Sequence, residues 1–237
     1  MEWPVRRGDD ERHPYDPPKR RIENHPFVAY AHAISALNDT GVPHLIGGAV
    51  ALSHYGRSRP TKDLDIFIRR QDAERAMNIL NAVGFTTLET NLPWLRKAQM
   101  TEVFIDLILW ANGPLDLTLE EVERGRPVVV EKVPMKIFAP EDLLVRKIYV
   151  MREGSPDWED ALSILERMGS ELRWEMLVRP NLDRRLFIAF LLAADAQLPG
   201  VLPPGLLLGQ IERLLDPGAG EEPRALPAAT QPAPAQV

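Results

Sequence analysis

The sequence predicts a mixed α/β fold followed by a purely helical region. Up to about residue 139, short β-prone runs alternate with helical periods, and beyond it only helical patterns recur. A glycine pair joins an apolar run to a short helix in "LIGGAVALSHYG". Two aspartates then sit one residue apart inside the apolar run "DLDIFI", although aspartate is depleted in strands and costly to bury unpaired.

The elements follow in order. "FVAYAHAISALNDTG" sets Tyr30, Ile34 and Leu37 on one helical face and stops at Gly41. "HLIGG" reads as a short strand, Ala49 to Tyr55 as a short helix closed by Gly56, and "DLDIFI" as a strand. In "QDAERAMNILNAVG", Ala73, Ala76, Leu80 and Val83 keep helical spacing, with Gly84 as C-cap. Residues 85–89 suit a short strand, and "TEVFIDLILW" is a β-prone run that ends at the turn Asn112-Gly113-Pro114. Thr118 and Glu121 have capping-box spacing for a short helix. "PVVVEKV" and "MKIFA" read as two strands separated by Pro134.

Pro140 opens a helix with Glu141 and Asp142 in its first turn, where carboxylates favour the dipole. Ser155 as N-cap and Pro156 at the first position open another, whose apolar stripe is Trp158, Ala161, Leu162, Leu165 and Met168. A last helical region, 171–215, is interrupted by prolines near 199–204. The expected organisation is thus a charged, Pro-rich arm at 1–25, a core at 26–138, a helical region at 139–215 and a Pro/Ala-rich tail at 216–237.

Composition excludes several classes. With 45% hydrophobic and 26% charged residues, the chain reads as a soluble globular protein. The absence of cysteine removes disulfides, thiol nucleophiles, Cys-ligated zinc and iron–sulfur clusters together. No apolar run approaches the roughly 20 residues that span a bilayer. The N-terminus also lacks the apolar centre of a secretory signal, so the expected location is the cytoplasm, with no membrane partner. A net charge of −6 argues against a surface built for indiscriminate nucleic-acid binding, while leaving room for a local basic groove.

The chemistry lies in the aspartates. Strand alternation points Asp63 and Asp65 to one face, about 7 Å apart, while Leu64, Ile66 and Ile68 enter a core. Like charges so placed repel unless a cation joins them. Asp106, a lone charge in "VFIDLI", fits as a third carboxylate on a second strand, although a satisfied edge-strand residue is the alternative for it alone. Mg²⁺ or Mn²⁺ suits such a set, since magnesium takes one or two carboxylates plus phosphate oxygens. Gly47 and Gly48 allow backbone to approach a phosphate closely at a helix start. Arg57, Arg59 and Lys62 add positive charge suited to triphosphate oxygens. Thr61, beside them, suits a brace that hydrogen-bonds to the loop backbone.

"GGAVALSHYGRSRPTKDLDIFI" resembles the signature of the nucleotidyltransferase (polymerase β-like) superfamily. Its longer form, carried by Gly47, Gly48, Gly56, Arg59, Thr61, Asp63 and Asp65, resembles the AbiEii/MenT-like branch of toxin-type nucleotidyltransferases. The resemblance spans about residues 27–168 and implies a nucleotidyltransferase-fold core with a C-terminal helical region. It also implies Asp63, Asp65 and Asp106 as catalytic metal ligands. "PEDLLVRKIYVMREGSPDWEDALSIL" resembles the family's downstream segment, which implies Lys147 as a phosphate-binding lysine with Asp157 and Asp160 as a nearby acidic element.

The implied partners are a nucleoside triphosphate and a hydroxyl acceptor, which could be tRNA, protein or a small molecule. For a toxin-type enzyme a cognate antitoxin joins them. The rival reading is a non-catalytic nucleotide-binding or interaction protein on the same fold.

Overall fold

The computed structural model describes residues 26–111, 115–151, 156–179 and 183–215. In chain order, α1 (Pro26–Asp39) leads to β1 (His44–Ile46), α2 (Gly48–Tyr55) and β2 (Asp63–Ile68). A 3-10 turn (Arg70–Asp72) precedes α3 (Ala73–Ala82), β3 (Thr86–Glu89), β4 (Leu95–Met100) and β5 (Val103–Ile108). Next come β6 (Trp110–Ala111), β7 (Leu115–Asp116), α4 (Leu119–Arg124), β8 (Arg126–Val130) and β9 (Val133–Ile137). Helices α5 (Pro140–Val150), α6 (Asp157–Met168), α7 (Arg184–Gln197) and α8 (Leu206–Leu215) complete the described residues, with a 3-10 turn at Trp174–Met176.

The main sheet has seven strands in the order β3-β4-β5-β2-β1-β9-β8, and β6 pairs with β7 apart from it. It is mixed: β2 runs parallel to β5 and β1 parallel to β9, whereas the other pairs are antiparallel. This is the expected α/β class. Leu64, Ile66, Ile68, Ile105 and Leu107 are almost fully buried, as strand alternation requires. The apolar core is continuous from α1 to α7, and α2 packs on both β2 and α6. Among the described residues no helix is long and apolar enough to cross a membrane.

Four local expectations are corrected. Strand β4, "LRKAQM", has no expected counterpart, because its apolar positions Leu95 and Ala98 break the period of two. The hairpin into β5 turns through Thr101 at φ 53 without a glycine, so it carries no sequence signal. The β8–β9 turn falls at Glu131 and Lys132, both in the left-handed region, and Pro134 lies inside β9 instead of between strands. Proline is tolerated there because β9 meets β1 only at its far end, through Ile137. The expected β run ending at Trp110 divides after Ile108, and its last residues pair in the small β6–β7 sheet. Pro156 precedes α6 instead of occupying its first position. Ser155 and the turn 112–114 lie outside the described residues.

A buried ionic cluster fixes the helices behind the sheet. The Thr118–Glu121 capping box forms as expected. Glu121 also accepts hydrogen bonds from both terminal nitrogens of Arg146 at 2.8 Å and one from Arg179 at 2.9 Å. Arg124 grips Asp142 at 2.8 and 2.9 Å, and Arg179 reaches the same carboxylate. Glu141 accepts from the backbone and side chain of Arg173. Thus the two carboxylates expected to serve the α5 dipole are buried and also bind arginines from α4 and from residues 173–179. The Arg146 guanidinium lies 4.1 Å from the Phe138 ring centroid and 5.5 Å from that of Phe67.

Burial alone would raise the Glu121 pKa, but the hydrogen bonds and charge of Arg146, with Arg179, bring it down to about 2. Its contribution to stability is therefore full above the ordinary value of 4.5 and is lost as pH falls towards 2. Glu121→Ala should cost about 3–5 kcal/mol, because it leaves the buried Arg146 unpaired. Urea unfolding at pH 7 measures the loss, and at pH 3 the gap between variant and wild type should narrow.

Candidate functional site

The carboxylates converge through strand pairing. On parallel neighbours β2 and β5, Asp65 stands directly opposite Asp106, and Asp63 opposite Phe104. Alternation then brings Asp63, Asp65 and Asp106 to one face, each partly exposed while the residues between them are buried. On the other side of Asp106, β4 places Lys97 opposite it, with Nζ 2.7 Å from Asp106 Oδ1.

The glycine pair backs this row closely. Gly47 donates its N–H to the Asp65 carbonyl at 3.0 Å. Gly48 begins α2 at φ 54, and a β-carbon there would stand 1.7 Å from Asp65 Oδ2. A β-carbon on Gly47 would come within 2.4 Å of the Phe67 ring. Any other residue at position 48 would therefore collide with the Asp65 carboxylate and strain the backbone.

Burial pushes the Asp65 carboxyl up to about 7, with the charges of Asp63 and Asp106 adding to it and those of Lys147 and Arg59 opposing. Burial likewise raises Tyr30 of α1, and the charges of Asp63 and Asp65 add to that rise. Ionisation of Asp65 is thus disfavoured unless a cation stands beside the row.

Positive charge gathers beside it. Asp160, fully buried on α6, accepts from Lys147 Nζ at 2.8 Å, Arg57 Nε at 2.7 Å and Arg59 Nε at 3.4 Å. Burial would raise its pKa, but Lys147, Arg57 and Arg59 hold it below the ordinary range. Asp157 accepts a second Lys147 bond at 2.8 Å. Lys147 and Arg59 are close enough to act electrostatically on Asp65. Thr61 donates to the Asp63 carbonyl at 3.0 Å and to Asp63 Oδ1 at 3.1 Å, whereas Lys62 is exposed.

The fold therefore brings the glycines, three aspartates, Arg59, Thr61, Lys147, Asp157 and Asp160 into one neighbourhood. Asp157 and Asp160 contact the cations instead of facing solvent. Sequence reasoning missed Lys97, whose only signal is a lone lysine in an unrecognised strand. It also left Arg57 as general positive charge, whereas the structure gives it a defined partner in Asp160.

The donor set suits a divalent metal of the hard, oxygen-binding kind. Among the described residues no three acidic or histidine side chains enclose an ion unaided. Two of the oxygens are engaged, by the Thr61 hydroxyl and the Lys97 ammonium. Such an open arrangement fits magnesium that keeps waters and shares phosphate ligands with a substrate.

Residues 26–188 match the model of a family described as "Nucleotidyl transferase of unknown function (DUF2204)". That span is most of the chain, and the protein belongs to this family of nucleotidyl transferases. A search of curated proteins finds no match. Among solved structures, the antibiotic-resistance factor ANT(2'')-Ia is similar at 18% identity, covering 72% of this chain and 93% of that one, with a TM-score of 0.47. The lincosamide antibiotic adenylyltransferase LnuA, bound to lincomycin, shares 12% identity over 58% of this chain and 94% of its own, at 0.43. An antigenic nucleotidyltransferase-like protein from Paracoccidioides brasiliensis shares 14% over 78% and 92%, at 0.47.

Native Asp65 keeps its proton to about pH 7, whereas an unfolded chain releases it near 3.8. Its contribution to stability therefore falls as pH rises between those values. Asp65→Asn should raise the melting temperature of metal-free protein at pH 8, with the gain vanishing near pH 4, while abolishing transfer. Gly48→Ala should lower both melting temperature and transfer. Thermal scans across pH, with transfer assays, check these outcomes.

Proposed function

We propose that the protein moves a nucleoside monophosphate from a nucleoside triphosphate to an acceptor hydroxyl, releasing pyrophosphate. The observation that carries this reading is the single row in which Asp65 stands opposite Asp106, with Asp63 on the same face and Gly48 against Asp65. Asp63 and Asp65, with Asp106, would hold Mg²⁺ or Mn²⁺, which when bound neutralises charge on the phosphate oxygens and on the leaving group.

The chain's own groups supply the rest. The backbone at Gly47 and Gly48, with Arg59, Lys62 and Lys147, orients the triphosphate. Thr61 steadies Asp63, and Asp157 with Asp160 keeps the cations aimed towards the carboxylates. Asp106 either completes a second metal site or acts as the base that accepts the proton of the acceptor hydroxyl as that oxygen bonds to the α-phosphorus. The bond from that phosphorus to the bridging oxygen breaks, and pyrophosphate departs with the electron pair.

The resemblance to toxin-type enzymes supports tRNA or another macromolecule as acceptor, with a cognate antitoxin as regulator. The net charge of −6 favours a small or protein acceptor, and the second reading is a small molecule of the antibiotic type. The deciding experiment transfers label from each of four α-labelled triphosphates, with Mg²⁺ or Mn²⁺, into cell extract separated into RNA, protein and small molecules. Asp63→Ala/Asp65→Ala is the blank. Label entering one fraction with wild type alone establishes the reaction and its acceptor class. Labelling by the blank equal to that by wild type refutes the carboxylate assignment.

Lys147→Ala should raise the KM for nucleotide about tenfold or more, the effect of losing a charge-assisted hydrogen bond. Initial-rate kinetics measure it. An unchanged KM would reduce Lys147 to a structural partner of Asp157 and Asp160.

A further inference from the structure

We propose that Lys97 is a displaceable internal counter-ion that holds Asp106 in the free enzyme and makes cation loading depend on the nucleotide. This rests on the metal reading of the carboxylate row given above and adds a positioning residue to it.

Three observations on the molecule support the assignment. First, Asp106 lies between two cross-strand neighbours, Asp65 on β2 and Lys97 on β4, so the lysine continues the carboxylate row on the same face. Second, its ammonium stands 2.7 Å from Asp106 Oδ1, an oxygen that a cation shared with Asp65 would need. Third, the pair is asymmetric: the Lys97 side chain is 44% exposed, whereas that of Asp106 is 15% exposed. The neighbour of Lys97 on β3, Leu88, is itself half exposed.

These features distinguish Lys97 from Lys147, the other lysine near the row. Lys147 is buried and held by two carboxylates of α6, so it is built to stay. Lys97 has a flexible stem, an open path to solvent and the Asp106 contact. A half-exposed ion pair is weak enough to yield to a divalent ion yet occupies Asp106 while none is present. Lys97 therefore opposes binding of bare metal. A metal that arrives with a polyphosphate brings further oxygen ligands and overcomes that opposition. The released ammonium then stands on the face where the polyanion enters.

The test is Mn²⁺ binding to nucleotide-free, full-length protein, read from the electron paramagnetic resonance signal of free Mn²⁺. Lys97→Met, which keeps the stem and removes the charge, should bind Mn²⁺ up to about fivefold more tightly than wild type, the factor a partly exposed ion pair allows. Lys97→Arg should return the affinity to the wild-type value. In an Asp106→Asn background, Lys97→Met should change nothing. Equal or undetectable binding by wild type and Lys97→Met overturns the proposal, as does weaker binding by Lys97→Met. Failure of the underlying metal reading is separately visible, because Asp65→Asn would then leave Mn²⁺ binding unchanged, and the role of Lys97 would fall with it.

Discussion

Mutual repulsion among three aspartates on one sheet face is the constraint from which the site is organised. Asp65 and Asp106 are direct neighbours on parallel strands, and Asp63 is two residues away on the same strand. Such a row raises the energy of the ion-free protein. The fold answers with cations at two removes: Lys97 touches Asp106, while Lys147 and Arg59 act on Asp65 from the side of α6. Glycine at position 48 follows from the same crowding, since the helix start lies against the Asp65 carboxylate.

The cations are themselves under restraint. Asp160 is buried and surrounded by Lys147, Arg57 and Arg59, so the basic side of the site is a fixed array and not a set of mobile surface charges. Behind it, Glu121 and Asp142 bind Arg146, Arg124 and Arg179, which fixes the helix carrying Lys147. Lys147 and Arg146 are adjacent in the chain and serve the two networks in turn. The position of the Lys147 ammonium thus depends on packing well behind the site.

How legible this was depended on how local each signal is. The passage from Gly47 to Asp65 places glycines, basic residues and carboxylates within one short stretch, and alternation alone assigns their faces. Asp106 was legible because a charge inside an apolar strand demands a partner. Lys97 was not, because its meaning depends on strand pairing, and β4 has neither clean alternation nor a glycine in its turn. Pro134 misled for a related reason: a proline breaks a strand only where its missing N–H is needed, and that depends on how far β1 extends alongside. The resemblance set Asp160 near Lys147, but its bonds to Arg57 and Arg59 were out of reach, since Arg57 lies 103 residues away in the chain.

That separation bears on how the protein comes into being. The carboxylates and glycines are all present once β5 is made, but the residue that gathers the cations belongs to α6. During synthesis, the acidic half of the site therefore emerges well before the anchor of its basic half. Closing so long a loop is an entropic cost met only when α6 docks on α2. A nascent or truncated chain ending before Asp157 lacks the two carboxylates that hold Lys147, Arg57 and Arg59, although Lys97 is already beside Asp106. The gathering of Lys147, Arg57 and Arg59 into one array is thus tied to completion of α6, the last part of the site to be made.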